Sequence, residues 1–165
     1  MVAAEAAEAL SIAQLLAPGR PLAFAHPLIE EAIAERMSAP ERHRGHRRAA
    51  GLLAGESAAP ELVAAHLLPT EALGDPWVVE RLRVAARAAL AKGAPQAAVS
   101  YLRRALDEPP EVQTRPEVLF ELGAAMIRIS YSEGLVLLED AFAATSDPPA
   151  RARVALEMAL SLIHI

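Results

Sequence analysis

The chain has 165 residues, of which 53% are hydrophobic but only 4% aromatic, so Ala and Leu supply most of the apolar surface. Ala and Leu are strong helix formers, whereas sheets favour β-branched and aromatic side chains, and we therefore predict an all-α fold. The formal net charge of −5 argues against direct nucleic-acid contact by this segment, because phosphate binding calls for a basic surplus.

Three further classes of protein are disfavoured by the composition. The chain has no cysteine, which excludes a disulfide framework and a thiolate metal site. Its first residues include Glu5 and Glu8 without a basic region, unlike a signal peptide. No uncharged run reaches the roughly 20 residues of a membrane-spanning helix. We expect a cytoplasmic protein with no membrane partner.

Proline, glycine and capping residues divide the first half of the chain into segments of helical length. Predicted helices cover approximately residues 3–17, 27–37, 39–54 and 60–68, and residues 22–24 form a short strand or an extended connector. Pro27 suits the first turn of its helix, because its missing N–H is not needed there. Ser38 and Glu41 predict a capping box at the start of the third helix. Residues 69–76 are the longest polar break.

The second half shows two predicted helix pairs. The helices cover residues 77–91 and 95–106, then 117–129 and 133–144, with a further helix from Arg151. Asp75 is predicted to cap the first of them, Gly93 to stop it, and Pro109-Pro110 to end its partner. Tyr131-Ser132 is the predicted turn of the second pair. Such short connectors predict antiparallel helical hairpins.

The two pairs are related by a repeat. Aligning the second helices pairs Ala98 with Gly134, Leu102 with Leu138 and Ala105 with Ala141, each at an offset of 36 residues. Aligning the first helices pairs Leu82 with Leu119 and Ala86 with Gly123, at an offset of 37. Helix pairs with this period predict an α-solenoid, in which the small residues of each pair let two helices approach closely.

Two stretches resemble known families. AARAALAKGAP (85–95), AAVSYLRRAL (97–106) and Pro109-Pro110 resemble a tetratricopeptide-type repeat. Upstream, FAHPLI (24–29), Arg42, His46, Ala49-Ala50 and AAHLL (64–68) resemble the stretch behind the ATPase module of large LuxR-type regulators. Those are bacterial signal-transduction ATPases with a nucleotide-binding module, a helical-repeat sensor and a C-terminal helix-turn-helix. The resemblance covers roughly residues 20–149.

The resemblance implies a domain plan and a function. Residues 1–68 would be the helical, winged-helix-like end of an ATPase module, and residues 69–159 would be tetratricopeptide-like repeats. The chain would be a non-catalytic regulatory region whose repeat groove takes a protein or small-molecule effector. The alternative is a free-standing tetratricopeptide-repeat scaffold.

The chain lacks the motifs of the nucleotide-binding module and of the helix-turn-helix. A P-loop needs GxxxxGK followed by Ser or Thr, whereas the only lysine, Lys92, precedes Gly93 and Ala94. No basic recognition helix follows the repeats. ATP or ADP would belong to the full-length protein, and we expect this chain alone neither to bind nor to hydrolyse ATP.

The last six residues, LSLIHI (160–165), resemble the translation of a transposon end used as a sequencing adapter. We interpret them as an adapter artefact and place no function on them.

His26 is the one candidate nucleotide-binding residue. The resemblance implies a histidine here that senses the β-phosphate of bound ADP in the full-length protein. The related proteins usually have Met-His-Asp, whereas this chain has Ala25-His26-Pro27. The alternative is a buried or helix-capping histidine.

The remaining candidates favour structural interpretations. His43 and His46 share a helix face, as metal ligands can. However, His66 is in another helix, and the cations Arg44 and Arg48 crowd the helix of His43 and His46. We therefore expect a solvated face or an interdomain contact, and no metal. Ser57 lies in GESAA (55–59), which lacks the final glycine and the preceding strand of a nucleophile elbow. No catalytic residue is therefore predicted.

Four acidic residues are predicted to lie on the surface, and two aromatic residues are predicted to lie in the core. Glu30-Glu31 and Asp107-Glu108 are adjacent carboxylates that point in different directions on a helix, and we expect them to be solvated. Trp77 and Tyr101 lie on apolar stripes and are expected in the core, with a peptide anchor in the groove as the alternative.

Overall fold

The computed structural model describes residues 2–19, 22–108 and 114–163. Within these residues the chain forms nine helices and no strand, which confirms the all-α prediction. The helices are α1 (Val2–Ile12), α2 (Pro27–Arg36), α3 (Ala39–Gly55), α4 (Pro60–Leu67), α5 (Pro76–Ala91), α6 (Pro95–Asp107), α7 (Arg115–Ile127), α8 (Tyr131–Ala144) and α9 (Pro148–Ile163). None of the helices in this part of the chain has the length and apolar character that crossing a bilayer requires.

The chain divides into two compact units, Met1–Arg42 and His43–Ile165. Helix α3 is continuous across the division, and α4 packs on α5 within the second unit. The boundary predicted at residue 68 follows the resemblance to an ATPase module and stays a prediction.

In the first unit, α1 ends about five residues earlier than predicted. Gln14 adopts a left-handed φ of 59°, and the chain turns back so that Leu16 forms a single antiparallel bridge with Phe24. Flanking bonds from Ala17 N to Ala23 O (2.8 Å) and from Ala25 N to Leu15 O (3.0 Å) hold this reversal. A winged-helix identity for this segment stays a prediction, and Arg20 and Pro21 lie outside the described residues.

The local start signals of α2 and α3 act as predicted. Pro27 occupies the first turn of α2. At the start of α3, Glu41 Oε2 accepts hydrogen bonds from the Ser38 backbone N–H (2.8 Å) and the Ser38 hydroxyl (2.7 Å). The glutamate half of the predicted capping box is therefore formed.

In the second unit the helices from α4 to α9 pack against their neighbours along the chain. The core is built from small and branched aliphatic side chains on the facing surfaces, among them Leu67, Leu82, Leu102, Val118 and Leu122. A smaller cluster around Leu138 and Val154 continues the core between α7, α8 and α9. Alanine-rich facing surfaces permit this close packing of successive helices.

Gly93 ends α5 in the manner that the sequence predicts. Its φ is +72°, its N–H donates to Leu90 O at 3.0 Å, and the N–H of Ala94 donates to Ala89 O at 2.9 Å. These two bonds form a Schellman motif, whose left-handed residue is usually glycine. The turn leads directly into α6, so α5 and α6 form a hairpin.

The second hairpin, α7–α8, brings its helices close together at two glycines. A Cβ built on Gly134 would lie 2.5 Å from the backbone nitrogen of Ile127, and one on Gly123 would lie 2.8 Å from Cδ2 of Leu138. The predicted close approach is therefore confirmed at Gly123 and Gly134. The predicted turn at Tyr131-Ser132 is wrong: α8 already begins at Tyr131, and the turn lies at residues 128–130.

Ala98 is the residue of the first hairpin that the repeat aligns with Gly134, and it is fully buried. We expect Ala98→Leu to lower the free energy of unfolding by about 1–3 kcal/mol, because extra methylenes in a filled core force the helices apart. Ala91→Leu is the matched control, since Ala91 is exposed at the end of α5 and should change stability little. Thermal denaturation at equal concentration makes the comparison; equal shifts would mean that the buried face is misplaced.

Candidate functional site

The first helices of the two hairpins share a charged face. Arg83 of α5 contacts the carboxylates of Glu80 (3.2 Å), Glu117 (2.8 Å) and Glu121 (3.0 Å), the last two on α7. Arg87, one turn later, contacts Glu80 at 2.9 Å and Glu121 at 3.0 Å. Two arginines and three glutamates therefore bridge α5 and α7 across one surface.

The surroundings of Arg83 fix its charge. Partial burial acts to lower the pKa of this guanidinium, but the hydrogen bond and charge of Glu121 and the nearby glutamates outweigh burial and raise the pKa. The side chain is only 13% exposed, so solvent competes weakly for it. Arg83 thus holds a permanent positive charge that orders the carboxylates around it.

A cavity of about 430 Å³ continues this face between α7 and α9. Phe120 and Val154 supply apolar lining, and Glu117, Asp147 and Arg153 supply charge. The Arg153 guanidinium lies 5.4 Å from the centre of the Phe120 ring, a cation–π contact. Glu117 belongs both to the cavity and to the Arg83 cluster, so the two features form one surface, the charged face: Glu80, Arg83, Arg87, Glu117, Phe120, Glu121 and Arg153.

A second cavity, of about 590 Å³, lies between the end of α7, the start of α8 and α9. Its lining includes Leu160 and Ser161, which fall in the segment interpreted above as an adapter artefact. We therefore place no function on it.

His26 caps a helix. Its Nδ1 accepts a hydrogen bond from the Leu28 backbone N–H at 3.2 Å, and the side chain is exposed at the start of α2. The capping alternative is thereby confirmed, since an N-cap acceptor satisfies a donor that has no partner within the helix. A role toward nucleotide in a longer protein stays a prediction.

The histidines of α3 have partners that sequence reasoning missed. His46 Nδ1 lies 3.0 Å from His66 Nδ1 on α4, and His43 Nδ1 lies 3.2 Å from Glu71 Oε1 in the α4–α5 connector. His43 and His46 are half-buried, so the expected solvated face is wrong for them, whereas the interdomain alternative stays a prediction. Within the described residues no group of three or more ligating side chains is arranged to hold a metal ion.

The four acidic residues differ in exposure. Glu30, Glu31 and Asp107 are exposed, as expected. Glu108 is fully buried, so its predicted exposure is wrong. Its Oε1 accepts from the backbone N–H groups of Leu73 (2.9 Å) and Asp75 (2.7 Å), which explains the burial: this carboxylate satisfies connector donors that have no helical partner.

The other singled-out residues are structural. Trp77 is 37% exposed in the first turn of α5, ahead of the buried stripe that begins at Val78, so its predicted core position is wrong. Tyr101 packs against the core as predicted. Ser57 is exposed in the α3–α4 loop with a φ of 55°. Pro109-Pro110 lie outside the described residues.

Comparison with known proteins does not identify a family for this chain. No protein-family model matches the chain, and neither a curated protein nor a solved structure shows significant similarity to it.

Proposed function

We propose that this chain is a non-catalytic protein-interaction region of a LuxR-type signal-transduction ATPase, and that its charged face receives a protein effector. The observation that carries the proposal is the continuous surface formed by α5, α7 and α9, in which Glu117 joins the Arg83 cluster to the cavity beside Phe120. Its support from sequence is the 36-residue offset between the hairpins and the resemblance of residues 85–106 to a tetratricopeptide repeat.

The chemistry of this surface suits recognition better than catalysis. The carboxylates of the Arg83 cluster are paired with guanidinium groups at hydrogen-bond distance, which gives a defined pattern of charge. Phe120, which is half-buried at the cavity, adds apolar area beside that pattern. A defined charge pattern next to apolar area provides specificity and contact area for a partner.

The test introduces two substitutions, one at a time, into the native gene of the source organism. Glu117→Arg reverses a 55% exposed charge of the charged face, and Glu139→Arg is the matched control on the exposed side of α8. We expect Glu117→Arg to change the same transcripts as deletion of the gene, and Glu139→Arg to leave them unaltered. Either substitution should change the stability of the purified chain by only about 0–1 kcal/mol, as is usual for exposed charges.

Two outcomes would overturn the proposal. If deletion leaves transcript levels unchanged, the protein is not a transcriptional regulator, and the free-standing repeat scaffold becomes the better description. If both substitutions alter the transcripts equally, the charged face is not the recognition surface.

A further inference from the structure

The inward face of α3 changes character along its length. Its last turns present Ala50, Leu53 and Ala54 to the apolar core. The turns before them present His43, His46 and Arg47, which are half-buried, whereas Arg44 and Arg48 on the other side are exposed. One helical stripe is thus apolar at its C-terminal end and polar at its N-terminal end.

The polar half of this stripe docks on α4 and the α4–α5 connector through three contacts. His46 faces His66 with 3.0 Å between their Nδ1 atoms, and His43 faces Glu71 at 3.2 Å. Arg47 donates a hydrogen bond to the carboxylate of Asp75. We call these six residues the polar seam. It differs from the apolar contacts that form the core between the later helices.

Protonation affects the three contacts of the polar seam differently. A hydrogen bond between two Nδ1 atoms needs one N–H and one lone pair, so protonation of both imidazoles leaves two donors facing each other. A proton on His43 is met by the Glu71 carboxylate, and Arg47 is charged at every physiological pH. The His46–His66 contact is therefore the one that acid breaks.

The charges around His46 act in the same direction. Burial lowers the pKa of His46 below its usual 6.5, and the positive charges of His66 and His43 lower it further. The titratable and charged groups on the packed elements include His43 and Arg47 on α3, His66 and Glu61 on α4, and Glu71 and Asp75 in the connector. The other charged residues of α3, which are Glu41, Arg42, Arg44 and Arg48, are exposed. Glu61 is paired with Lys92, and both connector carboxylates already have partners in the polar seam.

We propose that the His46–His66 pair is a proton-operated release for the N-terminal half of α3, which docks on α4 at neutral pH and detaches when the pair is protonated. Because docking holds His46 in its neutral form, docking is fully favoured above the usual histidine value of 6.5. It weakens as the pH falls from 6.5 toward the lowered value. The apolar half of the stripe stays in the core and serves as the pivot.

The place of α3 in the chain gives this release a consequence. The helix runs without a break from the first unit into the second, through Arg42 and His43. Detachment at His46 therefore acts on the helix that contains the division between the two units. The inference concerns α3 alone and stands whether or not the charged face has a partner.

The experiment measures a distance within the second unit as a function of pH. Because the chain has no native cysteine, the double variant Gly45→Cys/Ser100→Cys can be spin-labelled selectively, with both sites exposed. Gly45 has open space around it, so the label should not disturb α3. We expect one distance at pH 7.5 and a second, longer one whose population rises on acidification, with a midpoint below 6.5.

Matched variants separate the histidine pair from other effects of acid. His46→Gln/His66→Gln should abolish the pH response, and His26→Gln should retain it. His43→Gln should retain it with a midpoint closer to 6.5, because one neighbouring positive charge is removed. A second label pair, Ser100→Cys/Glu139→Cys, reports on α6 and α8 and should not respond, which distinguishes release from unfolding.

The inference fails if the distance from position 45 is the same at pH 7.5 and 5.5. It also fails if the glutamine pair retains the pH response of the wild type, or if the α6–α8 distance changes together with the α3 distance.

Discussion

Glu108→Ala is expected to lower the free energy of unfolding by about 3–5 kcal/mol, the usual cost of leaving one member of a buried ion pair alone. Arg104 Nη1 donates to Glu108 Oε2 at 3.0 Å, and Arg104 Nη2 donates to the Thr70 carbonyl at 2.9 Å. The substitution would strand this buried guanidinium and the backbone N–H groups of Leu73 and Asp75. For a chain of this size the melting temperature should fall by on the order of 10 °C.

The control for this loss is Asp107→Ala, which removes a neighbouring carboxylate that is exposed. It should change the free energy of unfolding by less than about 0.5 kcal/mol, as surface substitutions usually do. Equal losses at positions 107 and 108, measured by thermal denaturation, would contradict the buried network.

The same carboxylate has a pH dependence of known sign. Burial acts to raise the pKa of Glu108, but the N–H groups of Asp75 and Leu73 and the charge of Arg104 outweigh it and lower the pKa below its usual 4.5. The stabilisation is therefore complete above pH 4.5 and is lost as the pH falls toward the lowered value. Glu108→Gln should show a shallower loss of stability in acid than the wild type.

Gly134→Ala is expected to lower the free energy of unfolding by about 1–3 kcal/mol, although it adds a single methyl group. That methyl carbon would lie 2.5 Å from the nitrogen and 2.8 Å from the Cα atom of Ile127, both backbone atoms of α7. Side-chain rotation cannot relieve such a contact, so α7 and α8 must separate. Gly123→Ala should cost less, because its two nearest neighbours are side-chain atoms of Leu138 and the backbone nitrogen of Leu138 is farther away, at 3.1 Å.

Gly51→Ala is the matched control, since it makes the same chemical change inside a helix with nothing within 4 Å. It should raise stability by about 0.5–1 kcal/mol, because alanine restricts the unfolded chain and favours helix. Opposite signs for Gly134→Ala and Gly51→Ala, measured by denaturant titration, are the expected result. A loss of similar size at both would contradict the close approach of α7 and α8.

The polar seam and the Glu108 network meet in the α4–α5 connector. Asp75 accepts from Arg47 through its side chain, donates its backbone N–H to Glu108, and caps α5 by accepting from Trp77 N at 2.9 Å. Thr70 is held by Arg104. The connector is thus fixed from α6 by buried contacts and from α3 by half-buried, partly titratable ones. The α3 side is therefore expected to detach first.

The sequence by itself determined the helical class and many of the helix ends. Alanine and leucine content favours helix, and Pro27, Asp75 and Gly93 mark starts and a stop whose hydrogen bonds lie within the same few residues. Such signals depend on backbone groups close in sequence, so a single chain is sufficient to identify them. The close approaches at Gly123 and Gly134 were also predictable, because the repeat aligned them with small residues of the first hairpin.

The tertiary structure alone decided the environment of residues whose partners are distant in sequence. Glu108 is buried because connector N–H groups 33 and 35 residues away need an acceptor, and His46 meets His66 across a separation of 20. Trp77 is exposed because the buried stripe of α5 begins one residue later. Helical periodicity identifies which residues share a face, but the neighbour that covers that face is set by how the helices pack against each other.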